Sequence, residues 1–162
     1  MSRIVTAPIT ASIVTLAIAG SAFAATPLQV PGGAGWVTTG VTVRAGEPVS
    51  IHALGQIQTA SIPAFLVPGV FISASGPAGQ VANPTCGVTA ATFSPELLAT
   101  TGPCAVDDAY FGELVGRVGG TTFVIGAADS FVAPAAGTLE LAANDLVNTY
   151  GDNRGSFTVV IR

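Results

Sequence analysis

Short runs of alternating apolar and polar residues, separated by glycine and proline, dominate the sequence after its first 24 residues. In Val49–Ala53, for example, the first, third and fifth residues are apolar and would share one face of a strand. Alternation of period two predicts β-strands, and no 3.6-residue stripe persists for three helical turns. Many short strands with frequent turn signals predict an all-β sandwich or barrel. The predicted strands are Val41–Arg44, Val49–Ala53, Ala64–Val67, Val70–Ile72, Leu114–Val115, Thr122–Ile125, Leu139–Leu141 and Phe157–Ile161.

The first 24 residues predict a secretory signal peptide. Arg3 is followed by the apolar stretch Ile13–Ile18 and by small residues that end at Ala22-Phe23-Ala24, which is the layout of a cleavable signal. A membrane anchor is the alternative, but the uninterrupted apolar run is shorter than the roughly 20 residues that a span needs, and Pro8 interrupts its start. We expect cleavage after Ala24 to leave one secreted or periplasmic β-sandwich domain, residues 25–162, without a membrane span.

The charged residues exclude two classes of function. The chain contains nine acidic and five basic residues, and all five basic residues are arginine. Nucleic-acid binding requires many Lys and Arg side chains to neutralise phosphates, so no nucleic-acid partner is expected. Schiff-base chemistry and phosphate-binding loops both use lysine, which is absent.

The two cysteines, Cys86 and Cys104, predict a disulfide if the protein is exported. The bond would brace the irregular, Gly- and Pro-rich stretch from Gly76 to Cys104, which we interpret as a long excursion from the sandwich. A metal site or a reactive thiol is the alternative, but it lacks the clustered Cys and His partners that such sites use.

Catalytic motifs are scarce. His52 is the only histidine and falls within an alternating strand, where a solvent-facing side chain is the simplest interpretation. The segment Gly116–Gly120 lacks a lysine and is interpreted as a turn rather than a phosphate-binding loop. Asp107 and Asp108, followed by Glu113, offer a carboxylate pair for glycoside hydrolysis, but adjacent acids more often form a solvated corner. We assign no catalytic residue.

The richest polar cluster is the segment Asn144–Phe157, which lies between two predicted strands. Calcium prefers six to eight oxygen ligands from carboxylates, amides and backbone carbonyls. A loop that folds back on itself could bring Asp145, Asp152 and Asn153 around one ion. The same residue types are also common in turns, so composition alone leaves both interpretations open. The pattern is not an EF-hand.

Three segments of the chain resemble the PA-I-type galactophilic lectins. These are Asp108–Gly119, Asn144–Phe157 and, less specifically, Gly35–Gly55. The resemblance covers most of residues 35–162 and is weakest from Gln58 to Val106. It implies a jelly-roll, or galactose-binding-domain-like, β-sandwich that binds calcium and uses the ion to hold two hydroxyls of a sugar.

The resemblance also implies roles for individual residues. Asp145 matches a side-chain calcium ligand, and Thr149 matches a residue that contributes its backbone oxygen. Asp152 and Asn153 match two consecutive asparagine ligands, and the exchange of Asn for Asp retains an oxygen donor. A further backbone carbonyl is expected near Thr59. The residues expected to contact the sugar are Asp145, Leu146, Thr149 and Asp152.

The loop that contacts the sugar in this family departs from the family pattern. The family supplies His and Gln there, whereas Pro84–Val106 contains neither. The leading hypothesis is a secreted, calcium-dependent, carbohydrate-binding protein without catalytic activity, whose partner is a glycan and which could be oligomeric. The alternative is a structural or adhesive surface protein that has lost sugar binding. A hydrolase using the acids at positions 107, 108 and 113 is a third hypothesis.

Overall fold

The computed structural model describes residues 26–59, 71–76, 85–87 and 95–162 of the chain. The predicted signal peptide with its cleavage site at Ala24, and the predicted strand Ala64–Val67, lie outside these residues. The elements in chain order are β1 (Leu28–Pro31), β2 (Val37–Val43), β3 (Pro48–Gln58), β4 (Phe71–Ser73), α1 (Pro95–Thr101), β5 (Leu114–Val118), β6 (Thr121–Val124), β7 (Ala128–Val132), β8 (Gly137–Ala143) and β9 (Arg154–Ile161). A short 3₁₀ turn, Tyr150–Asp152, precedes β9.

The strands form two antiparallel sheets. The first follows the order β1-β9-β3-β4. β4 and β7 pair with the same edge of β3, β4 with its last three residues and β7 with its first five. The second follows the order β2-β8-β5-β6. The longest ladder joins β3 to β9 and runs from Ile51–Ile161 to Gln58–Arg154.

One apolar core lies between the two sheets. Alternate residues of β3 and β9 point into it, including Ile51, Ile57 and Phe157, which have no exposed surface. Leu139 and Leu141 of β8 enter it from the opposite sheet and are equally buried. The period-two pattern of the sequence therefore produces the expected apolar inner face on each sheet. The outer face of the second sheet is also partly covered, because Val115 of β5 and Ala142 of β8 are buried in a separate cluster with Ala109. The predicted all-β sandwich is confirmed.

Several local predictions need correction. β1 and β7 were not predicted. Leu28–Pro31 is only four residues long and contains proline, and the apolar residues of Ala128–Val132 do not alternate with polar ones. The helix α1 was also not predicted, because its seven residues are too few to show a helical stripe. The segment Gly116–Gly120 is a turn only at its last two residues, since its first three belong to β5.

Two further predictions, the disulfide and the exposure of His52, are confirmed. Cys86 and Cys104 form a disulfide with their Cα atoms 6.1 Å apart. His52 is exposed on the outer face of β3, as its place in the alternating strand predicts. Within the described residues, no helix is long and apolar enough to cross a membrane.

Candidate functional site

The loop between β8 and β9, residues 144–153, places a buried carboxylate at one end of the sandwich. Asp145 is only 5 % exposed. Its Oδ1 accepts hydrogen bonds from the Leu146 amide (2.7 Å) and the Thr149 hydroxyl (3.0 Å). Its Oδ2 accepts one from Asn153 Nδ2 at 2.6 Å. The carboxylate therefore organises the loop around itself.

Burial raises the pKa of Asp145 above its usual range, and the nearby charge of Asp152 raises it further. In the part of the chain that the structure describes, the only ion pair joins Arg117 to Glu140. No basic side chain therefore neutralises Asp145. A buried carboxylate is costly unless it is paired with a cation or fully hydrogen-bonded. The loop holds a negative charge that a cation would stabilise.

Asn153, the residue that ends the 3₁₀ turn, presents an unpaired oxygen. Its side chain is 7 % exposed, and its Nδ2 donates to Asp145 Oδ2 and, at 3.3 Å, to the carbonyl of Gly32. Its Oδ1 is buried and has no hydrogen-bond partner. Buried polar atoms in folded proteins are nearly always satisfied, so an unpaired one calls for a partner such as an ion or a water molecule.

Thr149 and Asp152 complete the set of predicted ligands in this loop. The carbonyl of Thr149 accepts a hydrogen bond from the Asp152 amide at 3.1 Å, which closes the 3₁₀ turn. Asp152 is exposed, and partial burial raises the pKa of its carboxyl. The structure thus brings Thr149 and Asn153 into contact with Asp145 and places Asp152 where its charge acts on that carboxylate.

Thr59 lies at the same end of the molecule. It follows Gln58, the last residue of β3, which pairs with Arg154 at the start of β9. Because the two strands are antiparallel, continuing this register by one residue brings Thr59 opposite Asn153. Thr59 is 7 % exposed, which is unusual for a polar residue next to a strand end.

Leu146, an expected sugar contact, is 2 % exposed. Its side chain packs in a small cluster with Cys86, Cys104 and Phe111. Its amide donates to Asp145, and its carbonyl accepts from the Thr149 amide at 2.9 Å. In this structure the Leu146 side chain packs against the disulfide and Phe111 and so stabilises the loop.

Two residues of the site were not singled out from the sequence. Asn144, with no exposed surface, lies within hydrogen-bonding distance of the carbonyls of 106, 109 and 110 and accepts from the amide of Val106. Tyr150 has a buried hydroxyl without a partner, and burial together with the charge of Asp145 raises the pKa of Tyr150 to about 12. In the structure Gly35 lies against the Tyr150 ring, where a Cβ would come within 3.4 Å of the ring atoms. This contact is a feature of the fold and is not visible in the sequence.

The acids considered for hydrolysis occupy different environments. Asp107 and Asp108 lie in an exposed turn. Glu113 is 9 % exposed, and its Oε2 accepts a hydrogen bond from the Tyr110 amide at 2.9 Å. Burial raises the pKa of Glu113. Glu113 is thus held by the backbone beneath the turn rather than open to a substrate.

The donor set of the β8–β9 loop suits a hard cation. The residues that the structure describes include no group of three or more His, Cys, Asp and Glu side chains that could hold a metal. The β8–β9 loop instead combines carboxylate, amide and backbone oxygens, which are the ligands that calcium prefers. The unpaired Oδ1 of Asn153 and the unneutralised charge of Asp145 both fit such an ion.

Comparison with known proteins identifies a related family and a shared fold. Residues 96–162 match the family described as "PA-IL-like protein". Among solved structures, the chain is similar to "EclA N-terminal domain; PllA-like lectin", with 22 % identity, a TM-score of 0.57, and coverage of 83 % of this chain and 92 % of that one. No curated protein matches the chain. The resemblance to the PA-I-type galactophilic lectins is confirmed, and the solved structure shares the fold.

Proposed function

Taking residues 96–162 as a PA-IL-like segment on a lectin fold, we propose that the protein is a calcium-dependent, carbohydrate-binding lectin without catalytic activity. The side chains of Asp145, Asp152 and Asn153 and the carbonyl oxygens of Thr149 and Thr59 would hold the ion. Calcium supplies a chelation point for two neighbouring hydroxyls of a sugar. The ligand belongs to the glycans or small saccharides.

The observation that carries this proposal is the pairing of Asn153 with Asp145. The only two buried side-chain atoms without a partner, among the described residues, are Asn153 Oδ1 and the Tyr150 hydroxyl. The amide nitrogen of the same Asn153 side chain donates to Asp145, a buried carboxylate that no basic side chain of the described residues neutralises. A cation in this loop would satisfy both groups at once, because it attracts the carboxylate and accepts a lone pair from the amide oxygen.

The protein's own residues would then orient the sugar side of the loop. Asp152 is exposed and next in sequence to Asn153, so its carboxylate can bind an ion and also accept a hydrogen bond from a sugar hydroxyl. Asp145 and Thr149 are held by hydrogen bonds within the loop, which limits the ordering that ligand binding requires. Export, which the signal-like N-terminus predicts, would place the lectin in the periplasm or outside the cell.

Calorimetric titration of calcium into chelator-treated protein tests the proposal. We expect saturable binding by the native chain and none by Asp145→Ala. Asp108→Ala is the matched control, because it removes an exposed carboxylate in a different turn and should leave binding unchanged. A glycan array in calcium and in chelator then tests sugar binding.

The structural or adhesive alternative makes a different prediction. It is favoured by the absence of His and Gln from Pro84–Val106 and by the burial of Leu146. In that case calcium would raise the melting temperature, but the array would show no calcium-dependent signal. If titration shows no calcium binding, the lectin mechanism is wrong and only the shared fold remains.

A further inference from the structure

A ribbon of hydrogen bonds joins the β8–β9 loop to the segment that follows α1. Residues 101–105 run antiparallel to residues 145–148, and we call this pairing the loop ribbon. Its contacts are Asn148 N to Thr101 O (3.0 Å), Val147 N to Pro103 O (3.0 Å), Ala105 N to Asp145 O (2.9 Å) and the bridge between Cys104 and Leu146. Two of the proposed calcium ligands, Asp145 and Thr149, therefore lie at or next to the ends of this ribbon.

The disulfide anchors the loop ribbon next to its Asp145 end. Cys104, which forms the bridge with Leu146, is bonded to Cys86. The amide of Cys86 in turn donates to the carbonyl of Ala109 at 2.8 Å, and that of Gly87 donates to Asp107 at 2.9 Å. Asn144 fixes the same 106–110 turn from the other side. The ribbon is thus tied through one covalent bond to a second fixed point of the sandwich.

Among the residues that the structure describes, the apolar packing beneath the ribbon is small. Its apolar cluster contains four buried residues, Cys86, Cys104, Phe111 and Leu146, with Leu98 partly buried beside them. Two of these four are the cysteines themselves, and the cluster is separate from the core between the sheets. Because so small a cluster buries little apolar surface, the covalent bond is a large part of what holds the ribbon in register.

We propose that the Cys86–Cys104 disulfide is a positioning element for calcium, so that its reduction weakens calcium binding while the sandwich remains folded. This inference rests on the proposed function. With the disulfide broken, the ribbon has to be ordered when the ion binds, and that cost lowers the affinity. Reduction by a dithiol breaks the S–S bond and delivers two electrons and two protons to the sulfurs, and the dithiol becomes a cyclic disulfide.

Calcium titrations of three forms of the full chain test this inference. The forms are the oxidised protein, the protein reduced with dithiothreitol, and the variant in which both cysteines are replaced by serine. We expect the dissociation constant to rise about 10-fold in the last two forms, within the usual range of coupling between distinct sites. Circular dichroism in chelator should show the same strand content in all three.

The outcomes separate the two proposals. If the oxidised protein binds no calcium, the proposed function fails. If it binds calcium, and the folded reduced protein binds with the same affinity within twofold, the positioning role is overturned. Loss of strand content on reduction would also overturn it, because the disulfide would then hold the whole domain rather than the loop.

A substitution that leaves the disulfide intact gives an independent test. Asn148 Nδ2 donates to the carbonyl of Thr100 at 3.1 Å, so Asn148→Ala loosens the outer end of the ribbon. We expect calcium to dissociate several times faster from this variant. Gln29→Ala is the control, since it removes exposed side-chain hydrogen bonds with Thr158 and Ser156 in the first sheet, away from the ribbon. Equal dissociation rates in the two variants would contradict a positioning role for the ribbon.

Discussion

Buried polar residues are concentrated at one end of this sandwich. Five polar or charged side chains are buried in the described part of the chain, and all are near the β8–β9 loop or the turn it packs against: Thr59, Glu113, Asn144, Asp145 and Asn153. Burying such groups is unfavourable unless each finds a partner. Their clustering distinguishes that end from the rest of the described core, which is apolar.

Asn144 should be the most sensitive of these residues to truncation. Its side chain is fully buried and is the link between the loop and residues 106–110. We expect Asn144→Ala to lower the free energy of unfolding by about 2–4 kcal/mol, because it leaves several buried backbone groups unpaired. Urea unfolding measures the loss, and Asn148→Ala, which removes one exposed bond, should cost less than about 1 kcal/mol. Equal losses in the two variants would show that Asn144 is not the link.

Glu113 should make stability depend on pH. Burial raises the pKa of Glu113 in the folded protein, so the folded state binds a proton more readily than the unfolded state. Stability from this group therefore increases as the pH falls through the folded pKa towards the ordinary value of 4.5, and is absent at neutral pH. Glu113→Gln retains an acceptor for the Tyr110 amide and removes the charge. We expect the variant to melt at a higher temperature than the native chain at pH 7, and the difference to shrink as the pH falls through the folded pKa and to be smallest below pH 4.5.

At the scale of elements, the central ladder between β3 and β9 requires glycine at two close approaches. A Cβ on Gly155 would lie 2.6 Å from the carbonyl oxygen of Gln56, and one on Gly55 would lie 2.7 Å from that of Ser156. Both glycines also have positive φ, +81° and +102°. These positions let β3 and β9 approach closely near the end of the β8–β9 loop, just before Thr59 and just after Asn153.

The variant pair Gly155→Ala and Gly120→Ala separates the close approach from backbone strain. Gly120 has φ +85° but nothing within 4 Å of its Cβ position. Both variants should lose about 1 kcal/mol from the left-handed backbone, and Gly155→Ala should lose roughly 1–3 kcal/mol more from the clash. Thermal unfolding measures the two losses. If they are equal, the approach of β3 to β9 is not limiting.

The sequence predicts parts of every central strand and of the edge strands β2, β4 and β6, but it misses the edge strands β1 and β7. Phe157–Ile161 and Val49–Ala53 are found within β9 and β3, because their buried faces impose the alternation from which they were predicted. β1 and β7 lie at edges, where one hydrogen-bonding side is free and the apolar pattern is weak. The short helix α1 has no buried residue. Leu98 packs partly buried against the Cys86–Cys104 cluster, and Asn148 donates to the carbonyls of Thr100 and Thr101.

The residue types of the candidate site were predictable from the sequence, but the disulfide contacts and backbone hydrogen bonds that hold the loop were not. Asp145, Thr149 and Asn153 followed from the resemblance, and the structure brings them into contact. The predicted disulfide also forms. The separation of 18 residues between the two cysteines does not reveal that Cys104 pairs with Leu146 of the β8–β9 loop. The ribbon consists of backbone hydrogen bonds, which leave no signature in residue type, and the same holds for a carbonyl ligand such as that of Thr59.

At the scale of the whole molecule, the proposed site should couple calcium to global stability. An ion that binds only the folded state stabilises it by RT ln(1 + [L]/Kd), which is about 2.7 kcal/mol at 100 times Kd. We therefore expect the melting temperature to rise steadily with the logarithm of calcium concentration above Kd. Magnesium, which requires a tighter octahedral site, should have a much weaker effect. The melting temperature of Asp145→Ala should not respond to calcium. A melting temperature of the native chain that is likewise independent of calcium would contradict the site.

The pairing of β1 with β9 gives the sandwich two distinct poles. β1 begins at Leu28, opposite Val159, whereas β9 begins at Arg154, directly after the β8–β9 loop. Leu28 and Ile161 therefore lie together at the pole far from Asp145. A tether attached next to Leu28 or next to Ile161 would leave the proposed site facing away from the attachment point. Protein coupled to a sensor chip or a bead through a tag beyond Arg162 should thus retain its full calcium-binding capacity, whereas random coupling would orient some copies with that face against the support.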